Sequence, residues 1–213
     1  MTLCVLGNVL RNDHHLHLHM EDTKNIEWYE HMRIHPDWYL GKIGDGTSPD
    51  DGIYTIVKDI IGVSIDEYLF GFTKEVTVDV QDTSVSIRDF GRGFPLNSII
   101  NQTCRAYRGM GSTTPEEVDK HNPFKVANAL SSEFLFSSFR DGLSSWVKAS
   151  KGIQLDYGAE KTLERSGFYV KFTPDEAIFP GYAFSKKIVE AIIKDVVHKN
   201  AGLTITMNGV TFR

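Results

Sequence analysis

One uninterrupted run from Ile53 to Pro95 constrains this chain most: a long amphipathic helix, two alternating strands and a glycine-rich turn follow one another without a gap. Ile53, Ile56, Val57, Ile60, Ile61, Ile65 and Leu69 recur at helical spacing, with Asp50 and Asp51 as starters and Gly71 as the stop. Val76–Val80 and Ser84–Arg88 then alternate as two strands, with Gln81-Asp82-Thr83 as their turn. A helix with one apolar side must bury it, and a hairpin with one apolar face offers the surface. The second strand runs into Asp89-Phe90-Gly91-Arg92-Gly93-Phe94-Pro95.

The rest of the chain extends this layout. A loop-rich stretch from Gly91 to Pro123 is followed by a short helix at Phe124–Leu130. Phe134–Phe139, Ser144–Ser150, Gly152–Tyr157 and Phe168–Phe172 read as strands. Ser185–Lys199 is an amphipathic helix with Phe184, Ile188, Ala191, Ile192 and Val196 on its apolar face. Leu203–Met207 alternates into an Asn208-Gly209 hairpin turn. The pattern predicts an α+β fold, a two-layer sandwich with helices on one face of a mostly antiparallel sheet. Without an internal repeat or linker, it predicts one domain over 23–213, preceded by an arm or hairpin over 1–22.

Composition excludes several classes. With 213 residues and 41 % hydrophobic content the chain can bury a sizeable core. A net charge of −5 gives no basic footprint for holding DNA or a membrane surface. Cys4 and Cys104 match no metal or redox spacing. No secretory signal or long apolar span is present, so the cytoplasm is the expected compartment. His14-His15-Leu16-His17-Leu18-His19 alternates as a strand would, placing His15, His17 and His19 on one face. Arg11-Asn12-Asp13 reads as a hairpin turn joining it to Leu3–Leu10. The tract is an edge strand or arm with exposed histidines, or an adventitious metal site.

Two groups of residues carry candidate chemistry. On the long helix, Asp59, Val63, Asp66 and Glu67 form a second stripe at i, i+4, i+7 and i+8. Such a stripe faces either a ligand or solvent. Asp89 stands at the mouth of a turn whose glycines expose backbone. A carboxylate there can accept from an amino group such as that of adenine, and Arg92 can stack on a flat ring or pair with Glu67. The plainer reading is an ordinary strand-to-loop turn.

A wider set of motifs resembles the N-terminal ATPase domain of the DNA gyrase B subunit and its topoisomerase IV counterpart, members of the GHKL (Bergerat-fold) ATPases. Glu30, Arg33, Pro36, Tyr39-Leu40-Gly41 and Asp45-Gly46-Thr47 follow the run that opens those domains. Ile65-Asp66-Glu67, Lys74-Glu75-Val76, Asp89–Pro95, Asn128-Ala129-Leu130-Ser131, Arg140-Asp141-Gly142, Ser166-Gly167 and Phe172-Thr173-Pro174-Asp175 keep the family's order. The resemblance implies that Asp89 accepts from the adenine amino group of ATP. It implies that Arg92 lies over the base and pairs with Glu67, and that Asp66, Gly93 and Pro95 shape the pocket. It also implies a homodimer formed through the N-terminal arm. A gyrase A-like subunit and DNA would be engaged only through other domains, and no membrane.

Departures from that family fall on the chemistry. Asp59 aligns with the general-base glutamate and Val63 with the magnesium-binding asparagine. Aspartate is shorter by roughly 1.5 Å, and a misplacement of about 1 Å can cost on the order of 10²-fold in rate. Valine cannot ligate Mg2+, which demands oxygen donors, so no metal ligand is assigned. The phosphate lid, a Gly-x-x-Gly-x-Gly run in the family, reads Asp119-Lys120-His121-Asn122-Pro123-Phe124-Lys125. Gly109 and Gly111, near Arg108, offer a shifted lid. Phe168 replaces a pocket threonine. The sequence runs to Arg213, where the family's ATP-binding subdomain would end, so it is expected to be either a fragment of a longer protein or a solitary module without transducer or DNA-cleavage domain. It reads as an ATP-binding domain of a type II topoisomerase subunit with hydrolysis weakened or lost. The other reading is a pseudo-ATPase interaction module that binds little or no nucleotide.

Overall fold

A computed structural model describes residues 27–105 and 122–213. The N-terminal arm, the histidine tract, the turn at Arg11–Asp13 and the Arg108–Gly111 lid alternative lie outside the described residues, as do Asp119, Lys120 and His121.

Two short helices, α1 (Trp28–Ile34) and α2 (Asp37–Leu40), precede the long α3 (Gly52–Leu69). β1 (Glu75–Val80) and β2 (Val85–Asp89) form a hairpin, followed by α4 (Ile99–Thr103) and α5 (Pro123–Ala129). β3 (Ser131–Arg140), β4 (Leu143–Ser150), β5 (Ile153–Lys161) and β6 (Gly167–Pro174) come next. Then follow α6 (Lys186–Lys199), β7 (Thr204–Met207) and β8 (Val210–Phe212). Among the described residues the strands make one 8-stranded sheet in the order β5-β4-β3-β6-β2-β1-β7-β8. Every neighbouring pair is antiparallel except β1 with β7. The fold is α+β, as the pattern predicts.

Alternation decides the faces. Val76, Val78 and Val80 of β1 and Val85 and Ile87 of β2 point inward and are buried. Thr77, Asp79, Ser86 and Arg88 point to the other, more open face. Against the inner face α3 lays Ile53, Ile56, Val57, Ile60 and Ile61, each essentially fully buried. Each such side chain contributes roughly 1.5–3 kcal/mol, so this one helix anchors the layer that carries the site.

Several sequence expectations shift in detail. Asp51 occupies the N-cap position of α3 but does not cap it with its side chain. Its carboxylate instead accepts from the backbone of Gly46 and Ser48, both at 3.0 Å, and meets Lys42 at 2.8 Å. Leu69, expected on the apolar side, is 68 % exposed at the end of the last turn. On α6 the fully buried line is Val189, Ile193 and Val197, while Ala191 is exposed and Ile188, Ile192 and Val196 are half-buried. The helix carries two adjacent apolar lines, and packing buries one of them fully. Ser84 belongs to the turn, where its carbonyl accepts from Gln81 N at 2.9 Å, and β2 extends to Asp89 instead. The stretch expected to be loop contains α4, whose Thr103 hydroxyl donates to Ile99 O at 2.7 Å. Among the described residues no helix is long and apolar enough to cross a membrane.

Candidate functional site

Asp89 is the last residue of β2 and is fully buried. Its Oδ1 accepts from Gly91 N at 2.7 Å, while Oδ2 has no hydrogen-bond partner. Burial, opposed by the Gly91 hydrogen bond and reinforced by the nearby Glu67 charge, pushes its pKa up to about 6. A buried acceptor without a donor carries a desolvation penalty of about 1–3 kcal/mol, so this oxygen is suited to a ligand that brings one. Beside it, Ser64 Oγ is also fully buried and outside ordinary hydrogen-bond geometry, but a weak side-chain hydrogen bond from it, the smallest of the influences on Asp89, lowers that pKa. Ser64 belongs to no motif singled out from the sequence. Its one signal there is a lone hydroxyl on the line of Ile53, Ile56, Val57, Ile60 and Ile61.

The glycine-rich turn is held by α3. Glu67 takes Arg92 in a fork: Nη2 lies 2.7 Å from Oε1, Nε lies 3.3 and 3.2 Å from the two oxygens, and Arg92 N donates to Oε2 at 2.9 Å. Burial raises the Glu67 pKa, but the hydrogen bonds and charge of Arg92 together outweigh it and leave it lowered. The Arg92 guanidinium also lies 3.9 Å above the Phe72 ring. Gly91 sits between the two carboxylates: a Cβ there would stand 2.7 Å from Glu67 Oε2 and 2.9 Å from Asp89 Oδ1. Gly93 adopts φ +68° and would place a Cβ 2.5 Å from Phe139 O. Phe94 N donates to Ser138 Oγ at 2.7 Å, and that hydroxyl donates back to Phe94 O at 2.9 Å, which ties the turn to β3. Pro95 is exposed, and its carbonyl accepts from Ser98 N at 2.9 Å and Ser98 Oγ at 2.8 Å.

Phe168 changes the character of this site. The β2–β6 register pairs Arg88 with Tyr169, so one step further Asp89 stands opposite Phe168. The ring is 1 % exposed and packs with Phe94, Phe124 and Phe136 at centroid distances of 6.1, 5.4 and 6.1 Å. An apolar aromatic cluster therefore lies on the same face of the sheet as the Asp89 carboxylate. Phe90, where the resemblance would put a second aspartate, lies between the guanidinium groups of Arg88 and Arg165 at 4.5 and 4.4 Å.

The start of α5, where the resemblance would put the phosphate lid, is arranged differently. The first turn of α5 begins with Pro123, which has no N–H to give. Asn122 Oδ1 accepts from the next two backbone donors, Phe124 N at 3.1 Å and Lys125 N at 3.2 Å. Asn122 is steadied in turn by Gln102 Oε1, which accepts from its Nδ2 at 3.2 Å. The helix start thus satisfies itself. Asn128, further along α5, is fully buried and structural. Its amide donates to Thr103 O at 2.7 Å, and its Oδ1 accepts from Gly152 N at 3.2 Å.

On α3, Val63 is half-buried against the core and Asp66 is exposed. Asp59 is exposed as a residue, and its carboxyl pKa is raised by desolvation, with Lys58 opposing. Val63 supplies no oxygen, and among the described residues no group of three or more His, Cys, Asp or Glu is placed to hold a metal ion. These residues do not fit a magnesium site of the kind the resemblance implies.

Motif residues away from the pocket brace the scaffold. Arg33 donates to Ala129 O at 2.9 Å and pairs with Asp175 at 2.5 Å, and Lys151 meets the same carboxylate at 3.2 Å. Burial raises the Asp175 pKa, but these partners outweigh it. The three contacts join α1, the end of α5 and the end of β6.

Comparison with known proteins agrees with this geometry. No family model matches the chain. It is 35 % identical over 189 residues to the DNA topoisomerase 4 B subunit of Borreliella burgdorferi, covering 86 % of this chain and 31 % of that protein. It is 28 % identical over 203 residues to the DNA gyrase B subunit of Chlamydia muridarum, covering 84 % and 24 %. The chain therefore spans a third or less of the length of these relatives. Its fold matches the crystal structure of the 43K ATPase domain of Thermus thermophilus gyrase B in complex with an aminocoumarin. That match has a TM-score of 0.71 and 23 % identity, over 87 % of this chain and 49 % of that one.

Proposed function

We propose, for a chain that belongs to the family of gyrase B and topoisomerase IV B GHKL domains, that it binds the adenine end of ATP with hydrolysis weakened or lost. The observation that carries this reading is Asp89 Oδ2, a fully buried acceptor lacking a donor. The adenine amino group supplies one. Glu67 and Arg92 would frame the base from the α3 side, and Gly91 and Gly93 let the turn pack closely against Glu67, Asp89, Phe139 and Gly167. ATP, when bound, contributes the phosphoanhydride bond whose cleavage the family uses.

The rest of that machinery is weak here. Asp59 is the candidate catalytic base, short of the glutamate it replaces, and Val63 leaves Mg2+ without its ligand. The first-turn donors of α5 already serve Asn122. The domain is read as part of a type II DNA topoisomerase subunit in the cytoplasm. It would dimerise through the arm before α1 and reach a gyrase A-like subunit and DNA through other domains.

A specific observation favours a second reading, an interaction module with little or no nucleotide binding. Phe168, opposite Asp89 and packed with Phe94, Phe124 and Phe136, takes up space where the family has a hydroxyl. Isothermal titration with a non-hydrolysable ATP analogue and with adenosine, in magnesium and then in EDTA, separates the two. Binding of both, indifferent to magnesium, is the expected result. A strict magnesium requirement would restore the enzyme reading, and no binding of either ligand would favour the interaction module.

A further inference from the structure

Ser64 is a hydroxyl on a side of α3 that otherwise buries isoleucine and valine. It is fully buried, as are Ile60 and Ile61 one turn before it. A serine or threonine within a helix can spend its hydrogen on the carbonyl four residues back, as Thr103 does on Ile99 O at 2.7 Å in α4. Ser64 makes no such bond to Ile60 O. Its hydroxyl reaches only toward the Asp89 carboxylate, in a weak hydrogen bond outside ordinary geometry.

The helix accounts for this placement. Ser64 and Glu67 stand at i and i+3 and share one side of α3. Glu67 Oε2 accepts from Arg92 N at 2.9 Å, and Gly91, one residue earlier, donates its N–H to Asp89 Oδ1 at 2.7 Å. Glu67 thus holds the turn from its far side while Ser64, one helical turn back, meets the carboxylate at the end of β2. Two buried polar atoms without well-formed partners, Ser64 Oγ and Asp89 Oδ2, lie together. Burying either in that state is destabilising.

Their chemistry defines what would satisfy both. An ionised carboxylate only accepts, whereas a hydroxyl can also donate. A ligand that donates to Asp89 Oδ2 takes over the carboxylate and releases the poorly aligned Ser64 hydrogen. That hydrogen then needs an acceptor, and the ligand that satisfies both atoms carries a donor and an acceptor side by side. The 6-amino group and N1 of adenine form such an edge, and hypoxanthine and guanine present the reverse order there. We propose that Ser64 is a specificity-determining residue of this site, donating its hydroxyl hydrogen to N1 of the adenine whose amino group Asp89 accepts from. The assignment rests on the adenine reading above and adds a second, separately testable contact to it.

Isothermal titration of adenosine and of 1-deazaadenosine into the full chain and its Ser64→Ala variant tests it. The second ligand keeps the amino group and replaces N1 with a C–H. The parent chain should prefer adenosine about tenfold. Ser64→Ala should bring the two ligands to within about twofold of each other by weakening adenosine alone. Alanine is smaller and favours a helix, so the variant should melt no lower than the parent. A purely structural hydroxyl would lower the melting temperature and leave the ratio of the two affinities unchanged, which overturns the proposal. Equal affinities in the parent chain overturn it too, as does a preference for adenosine that survives in Ser64→Ala. Asp89→Asn keeps this failure distinct from that of the adenine reading. Adenosine binding that depends on Asp89 but ignores N1 removes only the role of Ser64, whereas no adenosine binding to the parent chain overturns both.

Discussion

The Asp89 turn and the start of α5 solve opposite problems with similar polar groups. On the Asp89 side a carboxylate is fully buried with one oxygen left open, a destabilising arrangement that only a donor from elsewhere can offset. On the α5 side the helix start has committed its donors to its own cap, with Pro123 removing one and Asn122 taking two. Unsatisfied groups that persist in a folded domain point to a ligand, whereas satisfied ones point to structure. By that criterion the Asp89 side is open to a ligand and the start of α5 is scaffold.

The contrast can be broken most forcefully at Phe168. Phe168→Thr removes a ring packed among Phe94, Phe124 and Phe136 and should cost about 3–5 kcal/mol of stability. The same change should tighten adenosine binding by opening the space opposite Asp89. A melting curve and a titration read the two effects, and weaker adenosine binding in a folded variant would show that the ring is part of the site.

Asp89→Asn comes next. It keeps an acceptor for Gly91 N but presents an amide donor where Oδ2 stood, so adenosine affinity should fall about 10–100-fold. The same variant should gain stability at neutral pH. Asp89 has a folded-state pKa of about 6, above the ordinary value of 3.8, so the folded chain holds the extra proton between those values. Its contribution to stability is complete below pH 3.8 and is lost as pH rises through 6, on the order of 2–3 kcal/mol in total. Denaturant titrations across about pH 4–8 should show this decline in the parent chain and not in Asp89→Asn. Nucleotide affinity should show the reverse trend and weaken below about pH 6, where the acceptor becomes protonated.

A smaller effect is expected at Asn122. Asn122→Ala should cost about 1 kcal/mol as a lost cap and free Phe124 N and Lys125 N. Affinity for the ATP analogue relative to adenosine should then rise a few-fold. An unchanged ratio would place the phosphate defect elsewhere than the α5 cap. The smallest change is Glu67→Gln: its partner Arg92 is half exposed and screened by solvent, so only a slight loss of stability is expected. A double-mutant cycle with Arg92→Ala measures it.

The layer layout and the position of Asp89 were legible before any coordinates. Periodicity from Ile53 to Ile61 and alternation in β1 and β2 are local signals, and local signals fix which side of an element is buried. The Glu67–Arg92 pair was legible because both residues lie in short motifs whose ends must meet once the helix packs on the hairpin. Other features depended on neighbours distant in sequence. Which apolar line of α6 is fully buried was decided by packing. Asp51 turned from capping its own helix because Gly46, Ser48 and Lys42 offered better partners. Ser64 became a candidate only when β2 brought Asp89 against it, and Phe168 became a neighbour of that carboxylate only through the β2–β6 register. Periodicity records which way a side chain faces. What it faces is set by contacts between segments up to 142 residues apart, and those contacts exist only once the sheet has assembled.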